Sequence, residues 1–307
     1  MSDSGLENAQ PHSRASNRRR APCRLHVFLA RDAPIGVVLR RGPSAWARLS
    51  LWHTDTDSIE HGQWLHGRVY ERRSDLSPDG ALFAAFIRSG VAGARPGQQE
   101  DSWIAVSRPP YFSALALWWV GSTWCSGGFF TDRDSLWVGS PSAVVSQGQL
   151  PAWLKLATTL PHADRTRDWT DRNVYHNRFL RDGWSPTDPA MHSWQRPHPR
   201  EPRVLQFRDL GYDSRAFGGP HQVEYTVKAE PTQTPTVLPH ATWADWDHRG
   251  RLVLAQHGRL VHWQSAETLV TLADFNGGSP DPAPAPEWAH SWPPAADWPR
   301  RRPRSSR

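Results

Sequence analysis

The 307-residue chain has only two cysteines, two methionines and two lysines, Lys155 and Lys228. Cys23 and Cys125 stand far apart with no CxxC pair, which excludes a disulfide framework and a zinc ribbon and leaves room for at most one bridge. No charged segment followed by an apolar run opens the chain, so no signal peptide is expected. The longest apolar run, ALALWWV (114–120), falls far short of the roughly 20 residues that span a bilayer. The expectation is a cytoplasmic protein with no membrane contact. HExxH, EF-hand, Walker, Rossmann and GxSxG patterns are all missing, and no cofactor is expected.

The net charge of +6 is concentrated at the ends. Residues 1–22 hold Arg14, Arg18, Arg19 and Arg20 against Asp3 and Glu7. The last eleven residues hold Arg300, Arg301, Arg302, Arg304 and Arg307 against Asp297, so the middle of the chain is formally neutral. Residues 1–22 have almost no large apolar side chains and are expected to be a disordered basic tail. From Asn276 onward eight prolines exclude helix and central strand, and 276–307 is expected to be an extended Pro/Trp/Arg-rich tail. Weak nucleic-acid contact through such arginines is the electrostatic expectation. Trp288, Trp292 and Trp298 are unusual in a merely solvated tail.

Between them, 23–275 reads as strand. RLHVFLA (24–30), IGVVLRR (35–41), ARLSLWH (47–53), ALFAAFI (81–87), SWIAVS (102–107) and RLVLAQ (251–256) are short, apolar and bounded by turn residues. No long helical stripe is present, and PAWLKLATTL (151–160) is the one short helix candidate, with Pro at its first position. A faint repeat refines the fold class. DLSPDGALFAAF (75–86) aligns with DWDHRGRLV (245–253), placing Asp75 on Asp245 and Gly80 on Gly250, each followed by a strand. At about 40–45 residues per blade, a recurrence 170 residues apart is about four blades. The expected fold is an all-β, propeller-like domain of five or six blades, with Asp75, Gly80, Asp245 and Gly250 as structural turn positions.

The SPDG turn and its strand resemble TolB-like and WD40-like propeller repeats. DLSPDGALFAAF, SWIAVSRPPYFSALALWW, GGFF, RFLRDGW (178–184) and WADWDHRGRLV further resemble blocks of a family of bacterial proteins with no assigned activity. That resemblance implies a propeller and carries no catalytic residue.

Candidate chemistry is sparse. HTDTD puts His53, Asp55 and Asp57 on one face of a strand, and Asp245, Asp247 and His248 have a similar look. Turn capping by the short acidic side chains is favoured over a metal, and no metal is expected. Trp118 and Trp137, inside apolar strands, are expected between sheets. Trp124, Asp247 and His248 are the candidate binding surface. The function expected is a non-catalytic binding or scaffolding module with a protein partner. The alternative is a hydrolase or lyase on the same scaffold, with Asp, Glu and His at the channel mouth.

Overall fold

The computed structural model describes residues 23–42, 45–89, 101–121, 123, 125–139, 145–162, 172–213, 221–229 and 234–294. The basic N-terminal tail, Trp124, Trp298 and the C-terminal arginines lie outside the described residues.

The first sheet unit holds β1 (Arg24–Leu29), β2 (Ile35–Arg41), β3 (Trp46–His53) and the long β4 (Ser58–Val69) as an antiparallel meander. β4 then changes partner. Its first part pairs β3, whereas Gly67–Val69 pair β6 (Phe83–Ser89), so the strand passes from one blade into the next. The second unit comprises β5 (Asp75–Leu76), β6, β7 (Ser102–Ser107) and β8 (Ala114–Trp119), with β11 (Gln147–Gly148) at its edge. A three-stranded sheet follows, from β9 (Gly127–Asp132), β10 (Ser135–Gly139) and β12 (Lys155–Ala157). Helix α1 (Arg172–Arg181) leads into the fourth sheet: β13 (Ser185–Pro186), β14 (Ser193–Pro197), β15 (Arg203–Tyr212), β16 (His221–Ala229) and β17 (Thr236–Val237). β18 (Ala241–Trp246), β19 (Leu252–Gln256), β20 (Arg259–Trp263) and β21 (Leu269–Asp274) form the last sheet. β6 packs on β9, β16 on β18, and β18 and β19 on β1, which closes a propeller-like ring of five sheet units.

Side chains alternate across each pleat, so a strand between two neighbours must be apolar on both faces. In β1, Phe28 packs toward the second unit with Phe83 and Ile87, whereas Leu25 and Val27 pack toward the last sheet with Trp243, Val253 and Leu260. β19 does the same: Leu252 and Leu254 face the fourth sheet, Val253 and Ala255 the first. This is why the strands read as near-continuous apolar runs. Trp118 is fully buried between the second and third units, and Trp137 is partly buried against Phe129 and Val174.

The repeat is a blade hairpin used twice. Gly80 and Gly250 both sit at φ +79, closing turns in which their N–H groups donate to Ser77 and Asp247 carbonyls, both at 2.9 Å. A Cβ on Gly80 would stand 3.0 Å from Ile35 Cγ2, and one on Gly250 3.2 Å from His198 Nε2. Gly80→Val and Gly250→Val should each cost about 1–3 kcal/mol through backbone strain. Melting temperatures check this, and two unchanged melts would show that neither turn needs glycine.

Two expectations change. Residues 151–160 are not helical: Lys155–Ala157 pair in parallel with β10, because tertiary pairing outweighs local propensity in so short a segment. Among the described residues the one α-helix lies at 172–181, where no long apolar stripe announces it. Its buried residues are Val174, Tyr175, Asn177, Arg178 and Phe179, and Arg181 continues the Val174–Arg178 line, so cations stand at two positions where a helix face ordinarily carries apolar side chains.

The proline-rich segment also differs from a free tail over 276–294. It runs extended along the domain, turns once at Glu287–His290, and buries Ala289. Trp292 donates its indole N–H to the Gln149 carbonyl at 2.9 Å and meets Trp153 edge-on. Arg108 lies over the Trp288 ring at 4.7 Å and donates to the Trp288 carbonyl at 2.9 Å. Prolines keep the unbound chain extended, which lowers the entropy lost on docking. Cys23 and Cys125 are both free thiols, and the Cys23 S–H donates to the Phe275 carbonyl. Among the described residues no helix is long and apolar enough to cross a membrane.

Candidate functional site

At the ring's centre lies a cavity of about 420 Å³, lined by β1, α1, β18 and the turn after it. Its walls combine aromatic rings (Tyr175, Phe179, Trp184, Tyr225, Trp243 and Trp246) with Asp75, Asp182, Asp245, Asp247 and four arginines. The size and mixed lining are those of a ligand pocket.

The repeat's aspartates are its structural heart. Asp75 is 1% exposed and accepts a two-pronged guanidinium contact from Arg181, at 2.6 and 3.0 Å. It also accepts the Phe130 N–H at 2.8 Å, so one carboxylate ties the second unit, the third sheet and α1 together. Burial opposes the charge on Arg181, but Asp182 and Asp75 raise its pKa beyond the ordinary value. Asp245, at the equivalent position, pairs with Arg196 of β14 and accepts the Trp246 N–H at 2.8 Å. Burial pushes the Asp245 carboxyl up, with Arg196 working against that shift. Both repeat copies therefore bind an arginine contributed by a neighbouring element, which is the physical reason the motif recurs.

Arg178 is held differently. It donates to the Glu71 and Ser74 carbonyls at 2.7 and 2.8 Å, and its other nitrogen lies 3.1 Å from His26 Nε2. His26 Nε2 must accept there, so the imidazole is neutral with its proton on Nδ1. Burial first, then Arg178, Arg72 and Arg41, hold its pKa well below the usual value. The folded state thus refuses a proton that the unfolded chain takes near pH ~6.5. The stabilisation is complete above that pH and declines as pH falls toward the folded pKa, at up to about 1.4 kcal/mol per unit. Urea midpoints at pH 7 and pH 5 should therefore converge in His26→Gln relative to the wild type. An unchanged slope would assign the acid sensitivity elsewhere.

The two metal-like stretches meet, but around a guanidinium. Arg251 contacts both Asp57 oxygens at 2.6 and 2.7 Å and Asp247 at 2.8 Å. His248 Nε2 donates to the Ala30 carbonyl at 2.6 Å, and its Nδ1 lies 2.8 Å from the Thr54 hydroxyl. Asp55 caps its own turn through the Thr56 N–H at 3.0 Å, and His53 ends β3. Asp57, Asp247 and His248 are therefore the seam that locks the last sheet to the first. No group of three or more His, Cys, Asp or Glu among the described residues is arranged to hold a metal. Of the expected binding surface, Asp247 and His248 line the cavity, but their hydrogen-bonding groups serve this seam. Arg178, Arg181, Arg196 and Arg251 escape sequence reasoning because nothing local separates them from the other arginines.

No family model matches the chain, and no curated protein matches it. Among solved structures, the GH43 BlXynB protein from Bacillus licheniformis aligns with 86% of this chain at 10% identity and a TM-score of 0.28. This chain spans 57% of that protein, and a likeness so slight carries no functional argument.

Arg31 stands apart from the other cavity arginines. It is exposed at the rim and makes no hydrogen bond or ion pair among the described residues. Burial of part of its side chain and the nearby Arg181 lower its pKa.

Proposed function

We propose that this chain is a non-catalytic binding module in which a protein partner inserts a group into the central cavity. The observation that carries this reading is the state of the carboxylates. Asp75, Asp182, Asp245 and Asp247 each accept an arginine, and three of them accept a backbone N–H as well. A carboxylate so occupied is poor at moving protons to or from a substrate. What remains for a guest is aromatic wall and the uncommitted Arg31, which suits a partner side chain or chain end bearing a carboxylate. Resemblance to a bacterial family with TolB-like or WD40-like repeats fits a binding role, and the arginine-rich ends add sequence-independent nucleic-acid contact that fades with salt.

One observation favours a hydrolase or lyase instead. Burial raises the Asp245 carboxyl within the cavity, as a general acid requires. Two measurements separate the readings. Arg31→Glu should leave the melt unchanged while weakening partner capture at least about tenfold, the size of one charge-assisted contact. Turnover of an aryl-glycoside panel that Asp245→Asn abolishes, in protein that still melts normally, would overturn the binding reading.

A further inference from the structure

Arg24 begins β1, at the opposite end of that strand from Ala30 and the cavity rim. Arg24 and Arg41 are direct cross-strand partners in the β1–β2 ladder. The same edge of the sheet carries Gly67, whose N–H donates to the Ala45 carbonyl at 2.8 Å, and beside it Arg68. Three guanidinium groups thus share one end of the first sheet unit. Like charges opposed across strands repel, so a ladder that places them together calls for a counter-charge.

The chain supplies little of it. Glu71 pairs with Arg41, and it is the one carboxylate ion-paired to any of the three among the described residues. The Arg24 side chain makes no hydrogen bond or ion pair among them. Arg68 lies over the Tyr70 ring at 4.6 Å, which leaves the edge of its guanidinium free, and its Nε is buried without a hydrogen-bond partner. Orphaned buried donors are rare and costly. Burial, with Arg24 and Arg68 adding to it, lowers the Arg41 pKa to about 9, so the group stays charged at neutral pH under a strong field. Burial and Arg68 lower Arg24 as well.

We infer that Arg24, Arg41 and Arg68 form a binding site for a phosphate group carried by a small ligand, a phosphomonoester or the free ion. Planar guanidinium forks match phosphate oxygens in pairs, and three cations against Glu71 leave two charges for a dianion to neutralise. A phosphodiester strand, with one charge per phosphate, fits a half-buried cluster less well. The site is separate from the central cavity and does not depend on the binding role proposed for it.

The test is thermal melting of the full chain in inorganic phosphate against chloride at matched ionic strength, for wild type, Arg24→Met, Arg68→Met and the double variant. Phosphate at about ten times its Kd should raise the wild-type Tm by about 3–5 °C. The double variant should show no such rise, even though it keeps the arginine-rich ends. In chloride alone, Arg24→Met should melt at or above the wild type, since it removes repulsion and breaks no contact. A phosphate shift that persists in the double variant overturns the inference. So does a response to a phosphodiester oligonucleotide with none to phosphate, or a lower chloride Tm in both single variants with the phosphate shift intact.

Discussion

Asp75→Ala should destabilise the protein by about 3–5 kcal/mol, the usual consequence of removing one partner from a buried ion pair. The loss is large because the carboxylate is 1% exposed and its removal leaves Arg181, whose side chain is 9% exposed, with Asp182 as its one remaining carboxylate partner. It also orphans the Phe130 N–H, the first hydrogen bond reaching into the third sheet. At about 2–4 °C per kcal/mol for a domain of this size, the melt should fall by about 10 °C. Asp75→Ala combined with Arg181→Met should recover part of that loss, because an apolar side chain replaces a buried cation that has lost its most buried partner, while the partly exposed Asp182 turns to solvent. If the double variant is worse than the sum of the singles, the pair does not act as a unit.

Ending the chain after Gly277 should cost about 2–4 kcal/mol. The segment buries Ala289 and Pro293 and half-buries Trp292, which contributes roughly 25 cal/mol per Å² of apolar surface, less the ordering of a segment that prolines already hold extended. Trp292 is the anchor: its ring belongs to the cluster that fills the second and third units, and its N–H has a carbonyl partner. Trp292→Ala alone should account for about half of the loss. A chain ending at Pro294 should melt like the full chain. Equal melts for chains ending at Gly277 and Pro294 would show that the segment lies on the domain without supporting it.

Strands such as β1, β6 and β19 were legible because they are buried on both faces, which writes unbroken apolar runs into the sequence. The repeat was legible because its aspartate and glycine are fixed by backbone geometry and by a buried cation. α1 was not, since Arg178 and Arg181 occupy the positions where hydrophobic periodicity looks for leucine, and their reason for being there, Asp75 and the Ser74 carbonyl, lies about a hundred residues earlier. Residues 276–294 misled for a related reason. Proline excludes helix and ladder but does not exclude docking, and the carbonyl that holds Trp292 is invisible locally. His53, Asp55 and Asp57 matched a ligand spacing, yet Asp55 caps its own turn and the role of Asp57 is set by Arg251 of the adjoining last sheet, 194 residues on in the chain.

The seam between the last sheet and the first has a kinetic consequence. Its bonds join Thr54 to His248 across 194 residues, Asp57 to Arg251 across 194, and Cys23 to Phe275 across 252. Loop-closure entropy grows only logarithmically, so the length adds little to the final stability. It weighs on the folding rate instead, because the seam's contacts reward the chain only after the whole circuit has been made. Until β18–β20 arrive, the outer face of β1–β3, with Val27, Val38 and Trp52, has no cover. An open-ring species that exposes such a face is prone to self-association. Refolding yield should accordingly fall with protein concentration more steeply than equilibrium stability alone would suggest, and weakening the seam through Arg251 should make that loss worse.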